Sequence, residues 1–179
     1  SNDVEVILYA EDNAGNSSQA VCDLKIDITA PTISVQYDNN SGDTSFADGV
    51  FFKNNRTATI TVTERNFDPE KIKLVVTNTD GYIPVLSQWT TKTGTGNGDN
   101  TTHTAQVVFD RDGDYTFSIS GSDLALNNND GVDYGASLAP EKFTVDKTLP
   151  VISITYDNNA MLNDIYYKAR RTATITITE

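Results

Sequence analysis

Two segments of this chain occur twice, in the same order. Pro31-Thr-Ile-Ser-Val-Gln-Tyr-Asp-Asn-Asn40 returns as Pro150-Val-Ile-Ser-Ile-Thr-Tyr-Asp-Asn-Asn159. The octapeptide Arg56-Thr-Ala-Thr-Ile-Thr-Val-Thr63 returns as Arg171-Thr-Ala-Thr-Ile-Thr-Ile-Thr178, followed each time by a glutamate. Self-similarity of this kind is the signature of a tandem array. The chain must therefore fold into a unit that can be joined end to end.

A second pair of similarities lies upstream and sets the repeat boundaries. Residues 3–12 resemble residues 114–123, and residues 24–27 resemble residues 143–146. We therefore predict three parts: the C-terminal part of a preceding repeat (1–28), a complete repeat (29–148) and the N-terminal part of a following repeat (149–179). The central part is long enough to bury a core of its own, and neither end part is.

Alternation of apolar and polar residues is the dominant pattern and predicts β-strands. The segment 57–63 puts Ala58, Ile60 and Val62 on one face and threonines on the other, as expected of a half-buried strand. One helical turn is predicted at 68–71, where Pro69 can open it. The predicted strands of the complete repeat are seven: 32–37, 57–63, 71–77, 85–90, 102–109, 114–120 and 142–145. Seven short strands separated by turns predict an all-β sandwich.

The charge and composition of the chain exclude several classes of partner and site. The formal net charge is −12, so phosphate backbones and anionic membranes are repelled, and we expect no nucleic-acid partner. No run of 18 apolar residues is present, so no membrane insertion is expected. Cys22 is the single cysteine, which rules out an intrachain disulfide and gives no second thiol for a metal site.

Three short motifs resemble bacterial immunoglobulin-like repeats. Asp27-Ile-Thr-Ala-Pro31 and Asp146-Lys-Thr-Leu-Pro150 resemble the Asp-x-Thr-x-Pro junctions of those repeats, and Ala10-Glu-Asp-Asn-Ala-Gly-Asn16 resembles the turn that closes their sixth strand. Asp112-Gly-Asp-Tyr115 resembles their tyrosine corner. The resemblance implies an immunoglobulin-like seven-stranded β-sandwich. It also implies a cell-surface or secreted, extracellular protein whose partners are neighbouring repeats.

Acidic and amide side chains at the repeat boundaries predict a calcium site. If the sixth and seventh strands are neighbours, Asp12 is expected close to Asp27, and Asp123 close to Asp146, at one end of each domain. Ca²⁺ takes six to eight oxygen ligands of this kind. The alternative is that Asp and Asn cap turns by binding their own backbone. No other cofactor is expected. The candidate ligands are Asp12, Asn13, Asn16, Asp27, Asp123, Asn127 and Asp146.

Other residues carry weaker signals. His103 lies in a strand-like run and is interpreted as a structural histidine. The repeated Tyr-Asp-Asn-Asn motif at Tyr37 and Tyr156 is either a copied ligand site or an Asn-rich turn. Trp89 with Tyr82 could stack on sugar rings, but a sandwich of this size needs a large aromatic in its core.

We also asked whether the acid that follows the repeated octapeptide has a chemical role. Glu64 and Glu179 stand where some similar surface domains place an acid beside a lysine–asparagine crosslink. No lysine in the sequence is diagnostic of that bond. Nothing resembles a nucleophile elbow, a phosphate loop or a zinc helix, so the chain is not expected to be an enzyme.

These observations predict a non-catalytic spacer or stalk repeat with an adhesive role toward a host or glycan surface ligand. The alternative is an accessory or carbohydrate-binding module of a large extracellular glycan-degrading enzyme. The partial repeats at both ends are expected to expose unpaired strand edges. This predicts self-association through the truncated ends.

Overall fold

A computed structural model describes residues 2–38, 50–94, 101–129, 132–133, 142–163 and 165–179. Its strands are β1 (Asn2–Glu11), β2 (Ser17–Ile26), β3 (Thr32–Tyr37), β4 (Phe51–Phe52), β5 (Arg56–Thr63), β6 (Ile72–Asn78), β7 (Thr90–Lys92), β8 (Thr102–Phe109), β9 (Gly113–Gly121), β10 (Val132–Asp133), β11 (Lys142–Val145), β12 (Val151–Tyr156), β13 (Met161–Leu162), β14 (Tyr166–Tyr167) and β15 (Ala173–Thr178). A single 3₁₀ turn, Pro69–Lys71, completes the described secondary structure.

Strands β3 to β11 form a two-sheet sandwich, which confirms the all-β expectation. One sheet has the order β10-β3-β5-β8-β7 and the other the order β4-β11-β9-β6. Most neighbours are antiparallel, but β10 pairs with β3 and β4 pairs with β11 in parallel. The short strands β4 and β10 were not among the predicted strands.

The core of the sandwich follows from strand alternation. In β5, every second residue from Arg56 onward is buried, and the intervening threonines are less so. The two inner faces meet over one apolar cluster that consists of Ile33, Val35, Tyr37, Phe52, Ala58, Ile60, Val62, Val76, Val107, Phe109, Tyr115, Phe117, Ile119, Phe143 and Val145.

The predicted strand 85–90 is the one that the structure does not form. Only Leu86 makes a bridge, to Val107, and regular pairing begins at β7. The reason lies at Ser87: its hydroxyl oxygen accepts from the backbone N–H of Gln106 at 2.8 Å, in place of a carbonyl of the ladder. Pro84 just upstream has no N–H to donate. The helical turn was predicted correctly, and the Asp68 carboxylate caps it by accepting from the Glu70 amide.

The tyrosine corner is present. The Tyr115 hydroxyl, on a ring buried in the core, donates to the backbone carbonyl of Arg111 at 2.9 Å. This bond ties the β8–β9 turn to the sandwich. The segment 110–114 is therefore a hairpin turn, with Gly113 at a φ of 135°, a region that favours glycine.

The chain divides into two compact units, residues 1–146 and 147–179. The first holds the sandwich and the hairpin β1–β2, whose strands pair over their full lengths from Asn2↔Ile26 to Glu11↔Ser17. The second holds two small antiparallel pairs, β12–β15 and β13–β14. Among the described residues, no helix has the length and apolar character to span a bilayer.

Candidate metal centre

Three carboxylates converge where the hairpin leads into the sandwich. Oxygen atoms of Asp27, Glu64 and Asp123 all lie within 4.8 Å of one another. Glu64 and Asp123 are buried, with exposed fractions of 3% and 0%, and Asp27 is half-buried. This trio, which we call the junction cluster, is the candidate site of the molecule.

Each acid of the junction cluster follows the end of a strand. Asp27 comes directly after β2, Glu64 directly after β5, and Asp123 shortly after β9. The β5 end lies at the pole where β3 begins, since Thr63 pairs with Thr32. A backbone hydrogen bond of 3.0 Å from Leu124 to Asn66 joins the segments after β9 and β5. Three chain segments are thus brought to one pole of the sandwich.

A side-chain cap fixes the Asp123 carboxylate. Its Oδ1 accepts from the backbone N–H of Asn127 at 2.9 Å, and its Oδ2 accepts from the Asn127 amide group at 2.8 Å. The turn between them closes with Leu126 at a φ of 66°, the left-handed region that a leucine rarely adopts. This turn aims a fully buried carboxylate toward the other two acids.

Two asparagines connect Asp27 to the sandwich. The side-chain amide of Asn66 donates to Asp27 Oδ2, and that of Asn127 donates to the Asp27 backbone carbonyl at 3.1 Å. Asp27 Oδ1 accepts from the Thr29 amide at 3.1 Å, which shapes the linker. Partial burial raises the pKa of Asp27, but these side-chain and backbone hydrogen bonds, with the nearby Arg65, bring it below its usual value of 3.8.

Glu64 is held from its backbone as well as its side chain. Its Oε1 accepts from the Asn66 amide at 2.8 Å, and its carbonyl oxygen lies 2.9 Å from His103 Nε2. A carbonyl can only accept, so His103 Nε2 donates this bond, and Nδ1 lies 2.9 Å from the Thr91 hydroxyl. The ring also stacks on Phe67. The chain's single histidine is therefore a buried structural residue.

The junction cluster is electrostatically unfavourable when fully ionised. Burial raises the pKa of Glu64, and the negative charges of Asp27 and Asp123 raise it further. Two unit charges 4.8 Å apart repel by about 3 kcal/mol at an effective dielectric constant near 20. The hydrogen bonds to Asp27, Glu64 and Asp123 offset part of this repulsion. The crowding of three carboxylates makes the junction cluster a candidate cation site.

The expected grouping of Asp12 with Asp27 is wrong. The two residues lie at opposite ends of the hairpin, because Asp12 begins its turn and Asp27 follows its open end. Ten paired residues separate these ends by about 30 Å. Asp12 instead caps its own turn: Oδ1 accepts from Asn16 N and Ala14 N, and the Asn16 side chain donates to Oδ2. These bonds, led by that from the Asn16 side chain, lower the pKa of Asp12.

The expected grouping of Asp123 with Asp146 fails for the same reason. Val145 pairs with Gly113 at the start of β9, whereas Asp123 follows its end. Acids that follow two antiparallel neighbours lie at opposite poles, since the neighbours end at opposite poles. Only Asp27, Asp123 and Asn127 of the predicted ligands come together. Asn13 is exposed in the hairpin turn beside Asp12.

The structure also places the remaining candidates. Cys22 is exposed on β2. Trp89 is partly buried and packs edge-on against Phe67, at 5.0 Å between ring centroids. The Arg111 guanidinium lies over the Tyr82 ring at 4.2 Å. None of these contacts forms an open aromatic platform.

The repeated Tyr-Asp-Asn-Asn motif is described in full only in its second copy, because residues 39–40 lie outside the described residues. There the carbonyl oxygen of Asn158 accepts from Arg171 Nε at 2.9 Å, and Asp157 Oδ1 accepts from the Thr172 amide at 2.8 Å. Asp38 Oδ1 accepts from the Thr57 amide at 2.7 Å in the first copy. In both copies the aspartate ties the loop to the repeated strand, which favours the turn interpretation.

Sequence reasoning missed two members of the site, Glu64 and Asn66. A signal for Glu64 was present, since a glutamate follows both copies of the repeated octapeptide, but the only role considered for it was at a lysine–asparagine crosslink, for which no lysine is diagnostic. Comparison of the chain with family models, with curated proteins and with solved structures finds no match in any of the three.

Proposed function

We propose that this chain is a non-catalytic repeat of an extracellular, cell-surface or secreted bacterial rod, and that a calcium ion between consecutive repeats stiffens the rod. The observation that carries the proposal is that Asp27, which follows the hairpin strand β2, lies within 4.8 Å of Glu64 and Asp123, which follow two strands of the sandwich. The resemblance of the junction motifs to bacterial immunoglobulin-like repeats supports the spacer role.

The chemistry of the junction cluster favours Ca²⁺ among biological cations. Its charged groups are carboxylates, with no histidine or cysteine among them. Hard oxygen ligands select Ca²⁺ or Mg²⁺, and Ca²⁺ accepts the irregular, crowded sets that Mg²⁺ disfavours. Asp27, Glu64 and Asp123 would hold the ion. It would supply the positive charge that the three acids lack.

The position of Asp27 gives the ion its mechanical role. Asp27 lies in the linker, whereas Glu64 and Asp123 belong to the sandwich. An ion that binds all three fixes the linker to the sandwich and so limits bending at the junction. The neighbouring ion pair between Arg65 and Asp3, at 3.0 Å, is exposed and adds little on its own.

The acids of the junction cluster have counterparts in the neighbouring copies of the repeat. Asp146 and Glu179 occupy the sequence positions of Asp27 and Glu64 in the next copy. Asp12 occupies the position of Asp123 in the preceding one. The acidic positions of the junction cluster thus recur in the sequence of the array. The partners of the chain are the neighbouring repeats of the same protein, and an adhesive ligand would bind elsewhere on the rod.

Thermal unfolding with and without calcium tests the proposal. For an extracellular site with a dissociation constant near 0.1 mM, 10 mM Ca²⁺ stabilises the folded state by about 2.7 kcal/mol. For a domain of this size, that raises the melting midpoint by about 5–10 °C relative to EDTA.

The repeat offers a matched control. Asp123→Asn is expected to abolish the calcium-dependent rise, because it removes one charge from the junction cluster. Asp12→Asn, in the corresponding turn of the hairpin, is expected to keep the full rise. Identical melts of the unaltered chain in Ca²⁺ and EDTA, with no heat in titration calorimetry, would refute the calcium site. A loss of the rise in both variants would place the ion elsewhere.

A further inference from the structure

Each of the two units carries an exposed apolar sheet face. On the hairpin, one face presents alternate residues of both strands, and we call it the head face. It consists of Val4, Val6, Leu8, Leu24 and Ile26, with exposed fractions from 37% to 67%. On the second unit, the corresponding tail face consists of Ile152, Ile154, Tyr156, Ile175 and Ile177, with exposed fractions from 42% to 64%.

The head face repeats one inner layer of the sandwich. By sequence, Val4, Val6 and Leu8 stand where the sandwich has Tyr115, Phe117 and Ile119, all buried. The register agrees. Val4 pairs with Leu24 in the hairpin, as Tyr115 pairs with Phe143 in the sandwich, so the hairpin reproduces the β9–β11 pair.

The tail face repeats the opposite inner layer. Ile152 pairs with Ile177, Ile154 with Ile175 and Tyr156 with Ala173. The corresponding pairs of β3 and β5 are Ile33 with Val62, Val35 with Ile60 and Tyr37 with Ala58. In the sandwich, this layer packs on the β9–β11 layer in one core. The two exposed faces therefore correspond to two layers that cover each other.

A buried arginine shows what the tail face lacks. In the sandwich, the Arg56 guanidinium lies 3.6 Å from the Tyr37 ring centroid, 4.2 Å from that of Phe52 and 4.8 Å from that of Phe143. In the second unit, Arg171 lies 3.6 Å from Tyr156 and 4.2 Å from Tyr167. Tyr156 and Tyr167 thus take the places of Tyr37 and Phe52 around the guanidinium. The third ring, Phe143, belongs to β11. Strand β2 of the hairpin corresponds to β11 and has Leu24 at the position of Phe143.

We infer that the head face of one copy of this chain packs on the tail face of a second copy. The contact joins the copies head to tail, a heterologous arrangement that continues into chains rather than closing. In this contact, β2 lies along β14 as β11 lies along β4, and Leu24 covers Arg171. The inference does not depend on the calcium proposal, since neither face includes an acid of the junction cluster.

The alternative pairing of two tail faces is unfavourable. It would bring two Arg171 guanidinium groups into one apolar layer, where like charges repel strongly. The head face carries no cation among its five residues. A head face against a tail face is therefore the combination that buries both apolar layers without apposing like charges.

Light scattering of the chain and of face variants tests the inference. At about 100 µM in EDTA and a thiol reductant, the unaltered chain should form concentration-dependent oligomers, as a micromolar dissociation constant requires. Val6→Asp in the head face and Ile154→Asp in the tail face should each give monomers. The matched controls are Ile7→Asp and Val151→Asp, on the opposite faces of the same strands, and they should still associate.

Mixing the variants separates the modes of pairing. Each aspartate variant keeps one intact face, so an equal mixture of Val6→Asp and Ile154→Asp chains should form dimers and stop there. A dimer of Val6→Asp alone would show tail-to-tail pairing and refute the inference. A mixture that stays monomeric would refute it as well, as would an unaltered chain that is monomeric at 100 µM.

Cys22 gives an independent measurement. Cys22 pairs with Val6 in the hairpin, so its side chain lies on the same side of the sheet as the head face. Its reaction with a maleimide should slow at least several-fold as the concentration of the unaltered chain rises, and should stay fast in Ile154→Asp. Equal rates at all concentrations in both proteins would contradict burial of the head face.

Discussion

The central sandwich and the small tail sheet contain nearly the same strands in different surroundings. Strands β12 and β15 pair in the same register as β3 and β5. Yet Ile60 is fully buried in the sandwich, whereas Ile175 at the same place is 63% exposed. Local sequence is thus sufficient for strand formation and register. Burial, and with it most of the stabilisation, requires the second layer.

The buried arginine should give the largest difference between the two regions. Arg56→Ala removes a fully buried cation that contacts three aromatic rings, and is expected to destabilise the sandwich by about 3–5 kcal/mol. Burial lowers the pKa of Arg56 to about 10, so the group is charged at neutral pH. Arg171→Ala should leave the denaturation midpoint of the sandwich unchanged. Urea unfolding at low protein concentration measures both.

Arg56→Lys sharpens this prediction. A lysine keeps the charge but lacks the planar group that stacks on the rings, so it should recover only a part of the loss. Full recovery by lysine would mean that charge alone matters. Equal losses in the Ala variants at 56 and 171 would mean that the second layer does not set the stability of this motif.

The junction cluster gives the next effect, through pH. Because the pKa of Glu64 is raised above 4.5 in the folded state, that state binds more protons than the unfolded chain. Without calcium, the Glu64 contribution to stability should increase as pH falls through the folded pKa toward 4.5. The hydrogen-bonded Asp27 acts oppositely, and its contribution is lost only below 3.8.

Glu64→Gln should remove this pH dependence. Glutamine keeps an oxygen that can accept from Asn66, and it relieves the repulsion. We expect a gain of about 1–2 kcal/mol at pH 7 in EDTA, together with loss of the calcium response. Melting curves from pH 4.5 to 8 measure both quantities. A variant that follows the same pH profile as the unaltered chain would show that Glu64 is not the titrating group.

The turns after β9 and β1 should give the smallest effect. Leu126 adopts a positive φ where the hairpin has Gly15 at a φ of 84°. Leu126 is exposed, so Leu126→Gly should relieve backbone strain without loss of packing and stabilise the sandwich by about 0.5–1 kcal/mol. Leu124→Gly is the control. Leu124 is equally exposed but has no positive φ, so glycine there should destabilise slightly. A gain in both variants would point to the leucine side chains rather than the backbone.

Much of the fold was predictable because it is encoded locally. Alternation of apolar residues located β3, β5, β6, β8, β9 and β11, and the Asp-Pro pair located the helical turn. The loss of a regular strand at 85–90 was not predictable from alternation, since a serine hydroxyl there accepts a hydrogen bond in place of a backbone carbonyl. The pattern of apolar residues carries no information about which group accepts a hydrogen bond.

The candidate site was only partly predictable, because it joins distant parts of the chain. Sequence motifs identified Asp27, Asp123 and Asn127 as potential ligands. To predict which of these residues lie together requires the directions of the strands that precede them. We expected acids that follow neighbouring strands to lie at one end of the domain, but antiparallel neighbours end at opposite poles. Asn66 had no sequence signal. It acts only because the segment after β5 meets the linker.

The arrangement of the first and last long strands of the sandwich has a mechanical consequence. The chain enters β3 at the pole of the sandwich that carries the junction cluster. It leaves β11 at the opposite pole, beside Gly113. Tension between these points therefore runs along the strands. The hydrogen bonds between β3, β11 and their neighbouring strands are then loaded in shear, all at the same time, rather than broken one after another from one end. Extension of the sandwich between these two points has to break a whole row of hydrogen bonds at once.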